Sequence, residues 1–192
     1  IMPIKKKITS NKVNKLMDAA SQEKALELLQ KKDKKKNVQR VTVDFPQYLY
    51  EKMKLEYEIR KKCLDVALKV GSNGSHLGGG LSTVEIFASL YGDILNYNID
   101  NPGDVNRDRL VVSKGHCVLA YYSVLYLKGF LSQNQLDSFE VNGSHFHGHA
   151  TRDLRNGIEF SGGSLGLGIS FAVGQALALK MNNNKANVYV LV

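Results

Sequence analysis

One histidine, His76, lies in a segment that otherwise carries almost no side-chain bulk. The segment runs Gly71-Ser72-Asn73-Gly74-Ser75-His76-Leu77-Gly78-Gly79-Gly80 and contains five glycines. A glycine-rich backbone exposes N–H groups and lets a ligand approach closely, and an imidazole can transfer a proton near neutral pH. Taken alone, the segment is better explained as a flexible surface turn, so a site at His76 needs support from other segments.

A second histidine follows a predicted strand. The sequence Ser113-Lys114-Gly115-His116 comes at the end of an apolar run from Arg109 to Ser113, and a helical pattern from Cys117 to Lys128 follows it. Open α/β sheets bind ligands beyond the carboxyl ends of their strands, and helix N-termini attract phosphate. The pattern indicates a ligand site at His116. The alternative is an ordinary helix-capping turn with a solvated lysine.

A third glycine-rich segment, Gly162 to Gly168, opens a helical pattern that runs from about Leu165 to Met181. One face of this predicted helix carries small residues: Gly168, Ala172, Gly174, Ala176 and Ala178. Such a face allows either tight packing of the helix on a sheet or close approach of a ligand, and spaced glycines alone are weak evidence between the two.

Three further histidines, His145, His147 and His149, alternate along a loop-like stretch that also contains Gly143 and Gly148. On a strand their spacing would place all three on one face, which suits a metal site. No acidic or thiol partner lies next to them, however. We therefore favour a single histidine that binds substrate or transfers a proton.

These segments lie between elements that alternate between strand and helix. Helical periodicity runs from Tyr48 to Val70, Ser82-Thr83-Val84-Glu85 has the form of a capping box, and Ser132 starts another short helix. A β-branched run, Val188 to Val192, follows the last predicted helix. This order predicts an α/β fold, a parallel sheet flanked by helices, within a single domain at residues 46–192.

The basic character of the chain belongs to a predicted extension, residues 1–45. Residues 1–40 hold 12 Lys/Arg and 4 Asp/Glu, whereas residues 41–192 hold 14 of each sign. Leu16, Ala20, Leu26, Leu28 and Leu29 suggest a short helix there. Nucleic-acid binding is one interpretation of this segment. Because residues 1–40 have no aromatic side chain to stack on bases, we favour a solvated appendage and expect no nucleic acid among the partners.

No apolar stretch of the 192 residues reaches the length of a membrane span, and no apolar signal core follows the basic N-terminus. We therefore expect a cytoplasmic protein that does not bind membranes. Cys63 and Cys117 are predicted to be buried free thiols in a reducing compartment, since their separation fits no metal motif.

The order of the motifs is far more specific than any one of them. Residues 74–86, 106–116, 148–149 and 157–169 together resemble the transketolase family, over roughly residues 50–192. The sequence is most similar to the N-terminal subunit of two-chain transketolases, in which the thiamine diphosphate-binding module and the pyrimidine module are separate polypeptides. The resemblance implies the fold of the former module. The related 1-deoxy-xylulose-phosphate synthases share part of residues 76–85, but the segment ending in Ser-Lys-Gly-His favours transketolase.

The resemblance also implies roles for particular residues. His76, His116 and His149 match family histidines at the active centre, His116 also lying near the cofactor diphosphate; His147 is a second candidate for the position of His149. Gly163, Ser164 and Leu165 match the segment that binds the aminopyrimidine, and Leu165 would hold the cofactor in its bent form. Arg152, Arg155 and Lys114 could contact phosphate, although solvated surface charge is the simpler role for each.

The sequence departs from the family pattern at Leu167, where glutamine or histidine is usual, and at Gly162, where threonine is usual. The family continues after the last strand with Gly-Asp-Gly and then an asparagine, which hold a divalent metal, Mg²⁺ or Ca²⁺, on the cofactor diphosphate. Those metal ligands are expected beyond Val192, so the matching module is C-terminally incomplete at that residue, and none is assigned within the sequence.

The function that the resemblance implies is transfer of a two-carbon ketol unit between sugar phosphates. It would require thiamine pyrophosphate, the metal and a C-terminal transketolase subunit that supplies the cofactor-activating glutamate, in a dimer or heterotetramer. Because the metal ligands and the glutamate are missing from these residues, we expect them to be inactive alone. A non-catalytic module that binds a partner is the alternative, and the three retained histidines argue against it.

Overall fold

The computed structural model describes residues 47–192. The predicted basic extension, residues 1–45, and its short helix lie outside the described residues. The domain division therefore remains a proposal.

Two parallel strands form the sheet of the described part. β1 (Arg109–Val112) pairs with β2 (Val188–Leu191) in the register Arg109 to Val188 through Val112 to Leu191. Their apolar, β-branched side chains favour a strand that is covered by other elements. Leu110, Val111 and Val112 are indeed buried. The predicted α/β fold with a parallel sheet and flanking helices is confirmed.

Two helices that pack on each other form a large part of the core. α1 (Gln47–Val70) packs against α4 (Val118–Leu127), which is apolar on every side and buried from Val118 to Leu125. A helix that is apolar all round needs neighbours on all faces. The face of α1 formed by Ile59, Cys63 and Val66 supplies one of them.

The segment between α1 and β1 differs from its prediction. The glycine-rich stretch is partly helical: a 3₁₀ turn (Gly71–Asn73) precedes a short helix, α2 (Leu77–Leu81), and α3 (Val84–Ser89) continues as a π-helical turn (Leu90–Ile94). The predicted capping box is wrong. The Ser82 hydroxyl donates to the carbonyl oxygen of Gly79 at 3.0 Å, and the hydroxyl of Thr83, which directly precedes α3, donates to that of Gly80 at 2.9 Å, so neither side chain caps α3. Both acceptor glycines lie in α2, a helix that sequence periodicity did not indicate.

The second capping signal is confirmed. Ser132 and Gln135 form a reciprocal capping box at the start of α5 (Gln133–Asp137). Residues 141–160 are largely irregular apart from a 3₁₀ turn at Leu154–Asn156. The last helix, α6 (Leu167–Met181), begins two residues later than predicted, after Gly166 in the left-handed region at φ 87°. Within residues 47–192, no helix is long and apolar enough to span a membrane.

Both cysteines are fully buried and free, as predicted. Burial raises the pKa of the Cys63 thiol from 9.0 to about 11, although its contact with the Ser123 hydroxyl at 3.6 Å acts in the opposite direction. Burial likewise raises the pKa of Cys117 to about 12, and that thiol donates to the carbonyl oxygen of Lys114 at 2.9 Å. Neither thiol is therefore an activated nucleophile at neutral pH.

The raised pKa of Cys63 predicts a loss of stability in alkaline solution. Above pH 9 the thiol ionises in the unfolded chain but stays protonated in the folded one, so its stabilising effect is complete below pH 9 and is lost as the pH rises towards 11. Cys63→Ala removes this titration. We expect its cost in unfolding free energy to be smaller at pH 10 than at pH 8.5 by roughly 1 kcal/mol, as measured by urea unfolding. An equal cost at both values would contradict the prediction, and Ser170→Ala on the exposed side of α6 is the control.

Candidate active site

Three histidines that are far apart in the sequence meet in the structure. The ring centroids of His76 and His116 lie 4.7 Å apart in an edge-to-face arrangement. The ring of His149 lies 5.8 Å from each of the other two, stacked on His76 and edge-to-face with His116. We call these three residues the histidine cluster.

Two short helical segments hold the first two members of the cluster. His76 directly precedes α2, and its carbonyl oxygen accepts a hydrogen bond from Gly80 N at 3.0 Å. His116 lies in a 3₁₀ turn (Gly115–Cys117) beyond the carboxyl end of β1. The two segments touch at Gly79, where a Cβ atom would collide with the carbonyl group of His116. Glycine at position 79 is therefore required for this close contact.

The third member, His149, lies between two glycine backbones. A Cβ on Gly115 would come within 2.5 Å of His149 Nδ1, and a Cβ on Gly163 would lie 3.5 Å from the same ring. Gly163 has φ 125°, a backbone angle that residues with a side chain rarely adopt. The third glycine-rich segment thus passes directly beside the cluster, and Gly162 N fixes it by donating to the carbonyl oxygen of Ala150 at 2.8 Å.

His149 Nδ1 is buried and has no hydrogen-bond partner within residues 47–192. A buried polar atom without a partner costs free energy in most proteins. Such an atom, beside the buried backbone of Gly115 and the half-buried backbone of Gly163, is a candidate to bind a polar ligand. The orphaned atom and the close approach of backbone indicate a ligand site at the histidine cluster.

The remaining predicted residues lie around this centre. Ser164 and Leu165 directly follow Gly163 and are exposed, with 70% of Leu165 accessible. Leu167 is also exposed. Lys114, next to Gly115, donates from Nζ to the Ser82 hydroxyl at 3.2 Å, whereas Arg152 and Arg155 are exposed.

The structure separates the other two histidines from the cluster. His145 and His147 are exposed, and their ring centroids lie 6.5 Å apart. Of the two candidates for the third position, it is His149 and not His147 that contacts the other members. In the described part of the chain, no group of three or more His, Cys, Asp or Glu residues could hold a metal ion. The alternative of a metal site at the alternating histidines thus gains no support.

Sequence reasoning missed a buried charged group next to the third glycine segment. Arg107 and Glu159 form an ion pair. The exposed fraction of Arg107 is 9% and that of Glu159 is 2%. The one sequence signal was a lone acidic residue between Ile158 and Phe160, three residues before Gly162. Arg107 lies in a polar stretch and carried no comparable signal.

Comparison with known proteins gives a family for this chain. Residues 52–189 match the family described as "Transketolase, thiamine diphosphate binding domain". An apulose-4-phosphate transketolase subunit of Phocaeicola vulgatus is 41% identical over 133 residues, which cover 69% of this chain and 46% of that protein. The 6-deoxy-6-sulfo-D-fructose transketolase subunit SqwG of a Clostridium species is 40% identical over 134 residues, 70% of this chain and 48% of that protein.

A solved structure gives the same result. Transketolase from Leishmania mexicana superposes with a TM-score of 0.63 at 31% identity, over 72% of this chain and 22% of that one. The chain spans about half the length of the transketolase subunits it matches. The matched domain contains all three members of the histidine cluster and all three glycine-rich segments. The chain therefore belongs to the transketolase family, through its thiamine diphosphate-binding domain.

Proposed function

We propose that the chain is one of the two polypeptides of a two-chain transketolase that transfers a two-carbon ketol unit between sugar phosphates. The observation that carries the proposal is the contact of His76, His116 and His149 with one another and, through His149, with the backbone of Gly163. Two relatives that are named as transketolase subunits support the two-chain arrangement.

The donor set at the cluster fits the organic part of thiamine diphosphate. The unpartnered Nδ1 of His149 and the accessible backbone at Gly163 provide polar contacts, and the exposed Leu165 provides apolar surface. When bound, the cofactor supplies a nucleophilic carbon that can break and form carbon–carbon bonds beside a carbonyl. We propose that Gly163, Ser164, Leu165 and His116 hold it.

The chain's own part in the reaction is then to orient substrate and move protons. His76 and His149 are stacked with their centroids 5.8 Å apart, so one hydroxyl-bearing substrate can reach both rings. An imidazole can hold a proton at one nitrogen and release it near neutral pH. We propose that His76 and His149 orient the hydroxyls of the sugar while His116 serves both substrate and cofactor.

The divalent metal, the partner and the compartment are further parts of the proposal. Since residues 47–192 contain no cation-binding group of three or more ligands, we propose that the ligands of a Mg²⁺ or Ca²⁺ ion on the diphosphate come from other residues of the assembly. A C-terminal transketolase subunit would complete a dimer or heterotetramer. The two free, buried cysteines support a reducing, cytoplasmic setting.

One observation favours a partner-binding role, whether the chain is an enzyme subunit or a non-catalytic module. The side of α6 formed by Ile169, Val173, Leu177 and Met181 is exposed and apolar, with 46–83% of each residue accessible. Exposed apolar patches commonly mark protein contacts. This surface suits the partner subunit of an enzyme and equally suits a non-catalytic binding module, so activity has to decide between them.

The test is reconstitution of the full-length protein with a C-terminal transketolase subunit. Donors would include apulose 4-phosphate and 6-deoxy-6-sulfo-D-fructose, after the relatives, and a simple ketose phosphate. We expect ketol transfer only when both chains, thiamine diphosphate and Mg²⁺ are present. Turnover by the purified single chain would contradict the two-chain proposal. A complex that forms without binding the cofactor would favour the non-catalytic module.

A further inference from the structure

A carboxylate lies in the core beside the third glycine-rich segment. Glu159 is 2% exposed and forms its ion pair with Arg107, and Gln175 on α6 donates from Nε2 to Glu159 Oε2 at 3.2 Å. Burying two charges has a large desolvation cost, which good geometry and additional hydrogen bonds must offset. Such a pair adds little stability compared with apolar side chains, which suggests that its position has another use.

The arginine of this pair is fixed to the start of the sheet. Arg107 lies two residues before β1, and its guanidinium donates to the carbonyl oxygens of Pro102 and Asp108. With three groups accepting from it, this side chain has little freedom to follow a displaced carboxylate. Glu159 is therefore held against a rigid part of the fold.

The backbone after Glu159 leads directly into the proposed cofactor site. Gly162 lies beside β1, where a Cβ would be in ordinary contact, 3.6 Å, with the carbonyl oxygen of Val112, and Gly163 then contacts His149. The chain next enters α6, from which Gln175 returns to Glu159. The bond between Gln175 and Glu159 thus closes a loop, residues 160–174, that carries all the glycines of the segment.

We infer that Glu159 is a positioning residue for the cofactor-binding glycine segment, acting through Arg107 and Gln175. The ion pair sets the start of the segment, and the amide of Gln175 sets the helix at its end. The inference rests on the proposed function, because it concerns the segment that would bind thiamine diphosphate. Glu159 itself lies in the core and is not assigned a contact with substrate or cofactor.

The experiment compares Glu159→Gln with wild type in the full-length protein reconstituted with its partner. Glutamine keeps the size of the side chain and removes its charge. We expect faster hydrogen exchange at the amides of residues 161–168 in the cofactor-free protein. By calorimetry, we expect affinity for thiamine diphosphate to fall by about tenfold, the equivalent of one charged hydrogen bond. Unchanged exchange together with unchanged affinity would overturn the inference.

Asp108→Asn is the matched control. Asp108 is also a buried carboxylate at the same end of β1, but it accepts from the backbone N–H groups of Asn96 and Asn187 at 3.0 and 2.6 Å, outside the glycine segment. We expect a lower Tm with exchange at 161–168 and cofactor affinity as in wild type. If this control changes both to the same extent as Glu159→Gln, the role of Glu159 is merely structural and the inference fails.

A second variant and the wild-type complex distinguish failure of this inference from failure of the proposed function. If Glu159→Gln does not fold, Gln175→Met removes the bond between α6 and Glu159 without leaving a charge unpaired, and it should raise exchange at 161–168 in the same way. No change in that variant would then overturn the inference. Failure of the wild-type complex to bind thiamine diphosphate would instead count against the proposed function, and the exchange measurement would still decide the effect of Glu159 on the segment.

Discussion

Replacement of His76 by alanine is expected to reduce turnover of the reconstituted two-chain enzyme by about 100- to 10,000-fold, the usual contribution of a positioned acid–base group. The affinity for thiamine diphosphate should change by less than about threefold. A residue that does not hold the cofactor should lower turnover without an equal loss of cofactor binding. The reason is geometric. His76 contacts His116 and His149 but is not among the residues that we propose to hold the cofactor.

The measurements are kcat and KM for the sugar donor and a calorimetric Kd for the cofactor. His145→Ala is the matched control, since His145 is exposed and lies in the loop outside the histidine cluster. It should leave kcat unchanged. A wild-type rate in His76→Ala would remove His76 from the site, and equal losses of turnover and cofactor affinity would assign it to cofactor binding instead.

The second large effect is expected from Gly115→Ala. The new methyl group would lie 2.5 Å from His149 Nδ1 and 3.2 Å from Gly163 N, so either the imidazole or the glycine segment has to move. Both are parts of the proposed site, and misplacement by about 1 Å can lower turnover by about 100-fold. We expect at least such a loss, with cofactor affinity reduced as well.

Gly103→Ala is the control for this substitution. Gly103 is exposed, has no positive φ, and a Cβ there would meet only ordinary contacts near Asn101. Its kcat, cofactor Kd and Tm should match those of wild type. If Gly115→Ala retained full activity and affinity, His149 and Gly163 could not both be held as the structure has them, and the proposed site would have to be moved.

Local signals explain why much of the fold could be predicted from the sequence. Helical periodicity identified α1, α4 and α6, and β-branched runs identified both strands, because these patterns depend on neighbours within a few residues. The reciprocal bonds of Ser132 and Gln135 are of the same kind. The capping box at Ser82 failed because α2, a five-residue helix with three glycines, is stabilised by its neighbours rather than by its own propensity.

The α/β class, the family resemblance and the identity of the histidines that could do chemistry all followed from the residues and their order. The order of the motifs carried that information, since each motif alone had an ordinary structural explanation. The folded chain was needed to show that His76, His116 and His149 share one centre and that His147 does not. It also paired Arg107 with Glu159, two residues that no local pattern connects. These contacts depend on helix packing and on glycine positions where two backbones touch, and such long-range packing is not encoded in any short window of residues.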